Sequence, residues 1–124
     1  VLRWGDMIVS CKACVVHCMD FRIQKTVDEL LRSRGFQFGD FDRLSIAGGA
    51  SPHVSPQNDT MGSLELSGRL HSPSALILTA HEDCGAGTTL EDLRKILEEV
   101  RRVFPDKLVS AFWVKLDGSW DEVS

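Results

Sequence analysis

Short apolar runs alternate along the chain with segments whose apolar residues recur every three or four positions. Such runs are typical of buried strands, and the recurring spacing is typical of amphipathic helices. Four strands are predicted, at 13–18, 42–47, 75–80 and 108–116. Three helices are predicted between them, at 23–34, at 61–70 and from Thr88 or Thr89 to the residue before Pro105. Strands that alternate with helices indicate βαβ units. The expected fold class is therefore α/β, with a small, mainly parallel, four-stranded sheet flanked by helices.

Local signals support the ends of these elements. Gly35 is placed to end the first helix. Gly48-Gly49 end the second strand, and a loop with two prolines follows at 51–59. Glu91 stands three residues after Thr88, which is the spacing of a capping box at the start of the last helix.

Size and composition narrow the class of protein. The 124 residues are expected to form a single domain, 1–124, in which 1–10 is an N-terminal arm whose Trp4 and Met7 are available for packing. A net charge of −4 argues against a nucleic-acid partner, and no apolar run approaches the ~20 residues of a membrane span. The four cysteines are too few for a small secreted disulfide scaffold, so a reducing cytoplasm is the expected location.

The most informative residues follow two of the predicted strands. Cys18 ends strand 13–18, and His81 and Cys84 come directly after strand 75–80. In open α/β sheets the chemistry lies at the carboxyl ends of the strands. If these two strands are neighbours, two thiolates and one imidazole converge there, and this donor set suits zinc. Cys14 cannot join Cys18 on one ion, because four strand residues span roughly 13 Å.

The remaining cysteines and histidines have simpler interpretations. Cys14 is expected to be a small buried hydrophobic residue. Cys11 with Cys14 also forms a Cys-x-x-Cys pair, for which a redox or zinc role stays open. His17 should face away from Cys18 as a satisfied or surface residue. His53 and His71 lack a ligand partner at a useful spacing, although His53 could border a pocket.

Asp20 and Arg22 stand two and four residues after Cys18. If the strand continues to them, they share its face. A carboxylate beside zinc either becomes a ligand or accepts a hydrogen bond from the water on the metal. Arg22 can hold such a carboxylate with two hydrogen bonds, lower its pKa and keep it off the ion.

Together, Cys18-x-Asp20-x-Arg22 and the later His81-x-x-Cys84-Gly85 resemble the β-class carbonic anhydrases. Three further segments look like parts of that family. They are the Ala-Gly loop at Ala47-Gly48-Gly49, the start of the helix before the third strand at Ser63-Leu64, and the last strand and turn at 108–118. The resemblance implies that Cys18, His81 and Cys84 bind Zn²⁺ and that Asp20 and Arg22 form the catalytic dyad. It also implies that Asp83, Gly85, Gly48 and Gly49 orient ligands or border the substrate.

The implied function is that of a zinc lyase, a carbonate dehydratase. A zinc-bound hydroxide would hydrate carbon dioxide reversibly to bicarbonate, in a cytoplasmic homodimer or dimer of dimers. Ser45 and Ile46 occupy the positions where the family usually has Arg-Asn. Two alternatives therefore stay open. One is a zinc hydrolase for another small electrophile, such as carbon disulfide or carbonyl sulfide. The other is a non-enzymatic zinc-binding dimerisation module, in which Asp20 is a fourth ligand.

Overall fold

The structure is a computed structural model that describes residues 3–4 and 7–124, with side chains from residue 9 onward. Two short antiparallel strands, β1 (Arg3–Trp4) and β2 (Met7–Ile8), come first. The predicted arm at 1–10 lies partly outside the described residues, and so does the predicted packing of the Trp4 and Met7 side chains.

A five-stranded sheet with the order β4-β3-β5-β6-β7 forms the centre of the fold. Its strands are β3 (Ala13–Cys18), β4 (Phe41–Ile46), β5 (Ala75–His81), β6 (Leu108–Val114) and β7 (Trp120–Val123). The pairs β3–β4, β3–β5 and β5–β6 are parallel, and β7 is antiparallel to β6. The predicted α/β class and mainly parallel sheet are confirmed, and β3 is the neighbour of β5.

The predicted count of four strands is wrong, because a tight turn follows β6. Strand β6 ends at Val114 instead of continuing to Leu116. The Lys115 amide donates to the Ser119 carbonyl at 2.9 Å, and Gly118 adopts a φ of +92° in the turn. The chain then returns as β7, whose two central residues, Asp121 and Glu122, are exposed. A short strand with this much polar character carries little of the apolar pattern that reveals a strand.

Helices cover both faces of the sheet. They are α1 (Gln24–Ser33), α2 (Thr60–His71) and α3 (Leu90–Val103). Successive residues of β3 point to opposite faces, and two buried clusters result. One cluster contains Cys14 and Val16 with apolar residues of α2 and α3, and the other contains Ala13 and Val15 with apolar residues of α1.

The ends of the helices follow local hydrogen bonds. Helix α1 begins one residue later than predicted because a 3₁₀ turn, Phe21–Ile23, precedes it. Gly35 follows α1 with a φ of +87°, as predicted. The capping box of α3 joins Thr89 to Asp92, so the predicted box from Thr88 to Glu91 is wrong by one residue. Thr88 is buried beside Gly48, whereas Thr89 has the extended conformation of an N-cap residue.

Among the described residues, no helix has both the length and the apolarity that crossing a bilayer requires.

Candidate metal centre

Three side chains converge where β3 and β5 end. Cys18 is the last residue of β3, His81 is the last residue of β5, and Cys84 lies in the turn after β5. One ligand atom from each lies within 4.8 Å of the other two. Cys18 and His81 are buried and Cys84 is half-buried. The side-by-side pairing of the two parallel strands thus brings together the three residues that the sequence analysis selected.

The orientation of His81 leaves one ring nitrogen free. Its Nδ1 lies 2.7 Å from the carbonyl oxygen of Glu82. A carbonyl can only accept, so Nδ1 carries a proton, and in the neutral ring Nε2 then holds the lone pair. Nε2 is buried, and no hydrogen-bond partner for it exists in the part of the chain that the structure describes. A buried lone pair without a partner beside two thiols fits a metal ion, and this nitrogen–sulfur donor set fits zinc.

The surroundings of Cys18 disfavour its thiolate form when no cation is bound. Burial raises the pKa of Cys18, and the adjacent Cys84 raises it further, although backbone amides of Asp20 and Gly48 act in the opposite direction. The Gly48 amide lies 3.4 Å from the Cys18 sulfur and donates to it. A divalent cation between the two sulfurs would reverse this preference, because a coordinating thiol loses its proton.

Asp20 and Arg22 form a clamped pair beside this cluster. Arg22 donates from Nη2 to Oδ2 of Asp20 at 2.7 Å and from Nε to Oδ1 at 3.1 Å, and the Arg22 amide donates to Oδ1 at 2.8 Å. These hydrogen bonds from Arg22 lower the pKa of Asp20 to about 2. Oδ2 of Asp20 lies 3.8 Å from Nε2 of His81, and Asp20 is not a member of the Cys18–His81–Cys84 cluster.

The strand does not continue to Asp20 and Arg22, so that possibility is wrong. β3 ends at Cys18, and Asp20 caps the 3₁₀ turn that contains Arg22. The turn still directs both side chains to the cluster. Arg22 also donates to Asp83, from Nη1 to Oδ2 at 3.0 Å and from Nη2 to the carbonyl at 2.9 Å. Arg22 therefore ties the segment after β3 to the turn after β5.

The glycines near the centre differ in their surroundings. Gly49 lies between β3 and β5, where an added Cβ would come within 2.5 Å of the Thr79 carbonyl oxygen and 3.1 Å of the Cys18 amide. Gly48 donates to Cys18, and an added Cβ there would lie 2.7 Å from the Thr88 hydroxyl. Gly85 has no such neighbour, because an added Cβ would meet no atom within 4 Å.

Two residues that the sequence analysis missed hold the loops of the centre. The Gln24 amide group donates to the carbonyls of Cys18 and Asp20 at 3.2 and 2.8 Å. The Asn58 amide group donates to the carbonyls of Ala47 and Gly49 at 2.7 and 2.8 Å. Neither residue belongs to a short motif, and only the folded chain brings them to these carbonyls.

The remaining histidines and Cys14 are placed as follows. Cys14 is fully buried, as predicted. His17 is also buried, with Nδ1 2.8 Å from the Cys18 carbonyl oxygen, but its Nε2 has no hydrogen-bond partner among the described residues, so the expectation of a satisfied or surface residue is wrong. His53 pairs with Asp92 at 3.0 Å and borders a cavity of about 320 Å³ between the loops after β4 and β5. The expectation that His71 lacks a ligand partner is wrong, because the fold places it against Asp42 and near Cys11.

Comparisons with known proteins agree with this architecture. Residues 8–124 match the model of a protein family described as "Putative carbonic anhydrase". A comparison with curated proteins gives no match.

Solved structures are similar at low identity, which shows a shared fold. A carbonic anhydrase from Streptococcus mutans is 19% identical with a TM-score of 0.66, over 95% of this chain and 86% of that one. The apo form of a carbon disulfide hydrolase is 16% identical with a TM-score of 0.63, over 89% of this chain and 77% of that one. A tetrameric beta-carbonic anhydrase from the ascomycete Sordaria macrospora is 16% identical with a TM-score of 0.55, over 94% and 82%.

Proposed function

Because the chain belongs to the carbonic anhydrase family, we propose that it catalyses the zinc-dependent reversible hydration of carbon dioxide to bicarbonate. The observation that carries this proposal is the free Nε2 of His81. It is buried, lacks a partner among the described residues, and belongs to the cluster that contains the thiols of Cys18 and Cys84. The clamped carboxylate of Asp20 lies beside it.

Cys18, His81 and Cys84 would hold the ion, and a fourth coordination position would stay open. When bound, zinc is a Lewis acid that makes a coordinated water acidic enough to react near neutral pH. Asp20 stays ionised there because its pKa is about 2. It would accept a hydrogen bond from the attacking water and direct the oxygen lone pair toward the carbon of carbon dioxide. The water proton leaves to solvent as bicarbonate forms.

Arg22 would keep the fourth position open. It occupies both carboxylate oxygens of Asp20, and it is itself anchored on Asp83. To become a zinc ligand, Asp20 would have to give up hydrogen bonds from a guanidinium group, which are among the stronger ones in proteins. This arrangement favours the enzyme over a closed four-ligand module.

Hydrolysis of carbon disulfide or carbonyl sulfide is the second candidate. Ile46 pairs with Cys18 across the β3–β4 ladder, in place of the polar residue usual in the family. An apolar side chain offers no hydrogen bond to bicarbonate, which is the product of carbon dioxide hydration but not the direct product of carbon disulfide or carbonyl sulfide hydrolysis. The carbon disulfide hydrolase is similar in fold to this chain, so the fold is compatible with such an activity.

A paired histidine experiment tests the proposal. We expect the zinc-loaded protein to hydrate carbon dioxide in a stopped-flow assay, and His81→Ala to lose this activity together with one equivalent of zinc. His53→Ala is the matched control, because its side chain is 74% exposed, pairs with Asp92 and is not a member of the Cys18–His81–Cys84 cluster. A zinc content of His81→Ala equal to that of the wild type would contradict the site. A zinc-loaded protein that turns over carbon disulfide but not carbon dioxide would establish the second candidate instead.

We further propose that the protein works as a cytoplasmic homodimer. Phe21 and Met19 are 85% and 64% exposed beside the metal centre, and burying them against a second copy would shield the site from water. The relative from Sordaria macrospora is described as tetrameric. Zinc binding through Cys18 and Cys84 requires reduced thiols, which a reducing compartment maintains.

A further inference from the structure

A second group of metal-ligating side chains lies near the opposite end of the sheet. Cys11 precedes β3, Asp42 is the second residue of β4, and His71 is the last residue of α2. One ligand atom from each lies within 4.8 Å of the other two, as in the first centre. All three side chains are half-buried, so solvent can reach the group.

The three residues are held together by the fold. The Cys11 amide donates to the His71 carbonyl at 3.0 Å, which ties the segment before β3 to the end of α2. Nδ1 of His71 lies 2.7 Å from Oδ2 and 2.9 Å from Oδ1 of Asp42. Ser67, one turn earlier on α2, donates its hydroxyl to Oδ2 of Asp42 at 2.7 Å. A hydrogen bond of this kind orients a carboxylate ligand from outside the coordination shell.

We propose that Cys11, Asp42 and His71 bind a second divalent ion of the zinc class, with solvent completing the coordination. A thiolate, an imidazole nitrogen and a carboxylate oxygen are the three donor types that zinc accepts in proteins. On binding, the Cys11 thiol gives its proton to solvent. The proton on Nδ1 of His71 that forms the hydrogen bond to Asp42 moves to Nε2 of the same ring or leaves to solvent, and the ion then replaces that hydrogen bond as the link between α2 and β4.

This group gives Cys11 ligand neighbours other than Cys14. Cys14, three residues later, is fully buried in the cluster formed with α2 and α3, and burial raises its pKa to about 11. Cys14 is not a member of either group of metal-ligating side chains. Cys11 instead has Asp42 and His71 as its neighbours.

The two proposed sites are independent. Ala13 and Cys18 are the two ends of β3, and the five residue steps between them separate these ends by roughly 16 Å. No residue belongs to both groups. The second site therefore stands or falls separately from the proposed hydration activity.

Zinc stoichiometry after dialysis of the reduced protein tests the second site. We expect two equivalents per chain in the wild type and one in Cys11→Ser. One equivalent should also remain in His81→Ala, and none in a variant that combines both changes. Cys14→Ala is the matched control and should keep two. With Co²⁺ as the probe, Cys11→Ser should keep the thiolate charge-transfer absorption of Cys18 and Cys84.

Equal zinc content in the wild type and Cys11→Ser would overturn the second site. Asp42→Asn provides a variant that can keep the contact with His71 through its amide oxygen while it loses the charged ligand. It should also retain a single equivalent of zinc and full hydration activity. Two equivalents in a folded Asp42→Asn would likewise count against the proposal.

Discussion

At the scale of single residues, the structure separates the groups that would hold an ion from the group that would direct a reactant. We predict that Asp20→Asn keeps its zinc and loses roughly 10²-fold in kcat, a typical contribution for a positioned acid–base group. Arg22 currently satisfies both oxygens of Asp20. An asparagine amide has one oxygen and one NH₂ group. Its NH₂ group would face either the guanidinium, which is also a donor, or the water, so the pair no longer orients the water. Zinc analysis and stopped-flow hydration on one preparation check this.

The result distinguishes two roles for Asp20. If Asp20 is a dyad member, the zinc content stays constant while the rate falls at every pH above about 4, where the wild-type carboxylate is ionised. Full hydration activity in Asp20→Asn would rule out the role proposed for it. Loss of zinc would instead identify Asp20 as a ligand.

The sequence predicted which side chains lie together where a short motif follows a strand. To predict that Cys18, His81 and Cys84 lie together, it is enough to assume that β3 and β5 are neighbours, as they are in the parallel sheet. To predict the cluster of Cys11, Asp42 and His71, the relative positions of three elements must be known, and no short sequence spacing encodes them. The hydrogen bonds of Gln24 and Asn58 to backbone carbonyls belong to the same class of long-range contact.

At the scale of elements, the predicted strands at 13–18 and 75–80 and the three helices agree with the structure to within a few residues. Their apolar periodicity is a local property of the chain, so it can be recognised without knowledge of neighbours. Strand β7 was missed because its pairing with β6, rather than its own pattern, creates it. The capping box was misplaced because burial of Thr88 beside Gly48 decided which threonine caps α3.

Two glycines test how closely the elements pack around the metal centre. Gly49 has a φ of +63° and lies between β3 and β5, whereas Gly35 has a φ of +87° and open space around it. We predict that Gly35→Ala lowers the free energy of unfolding by about 1–2 kcal/mol, the cost of a left-handed conformation for alanine. Gly49→Ala should cost roughly 2–5 kcal/mol, because overpacking against backbone atoms adds to that strain.

The same two variants test whether close packing at Gly49 affects the metal centre. Relief of the contact at Gly49 requires movement of the Thr79 carbonyl or of the Cys18 amide. Gly49→Ala should therefore weaken zinc binding as well as stability, while Gly35→Ala should leave zinc binding unchanged. Denaturant unfolding and competition with a chelator measure the two effects. Equal destabilisation by both substitutions would show that the close approach at Gly49 is unimportant.

At the scale of the whole molecule, the exposed apolar residues beside the centre predict how copies associate. Phe21 is the most exposed of the large apolar side chains described, and it belongs to the 3₁₀ turn that also carries Arg22. We predict a dimer for the wild type in sedimentation velocity and a shift toward monomer for Phe21→Ser, because a buried aromatic anchor dominates such contacts.

Leu108→Ser is the control for this shift, because Leu108 is 76% exposed at the start of β6, the end of the strand away from His81. Its removal lowers surface hydrophobicity to a similar degree without touching the 3₁₀ turn. If copies pack over the metal centre, Phe21→Ser should also lose hydration activity in proportion to the monomer fraction, and activity should recover at higher protein concentration. A wild-type monomer with full activity would mean that a single copy encloses a working site, and Phe21 would then be free to contact substrate or another protein.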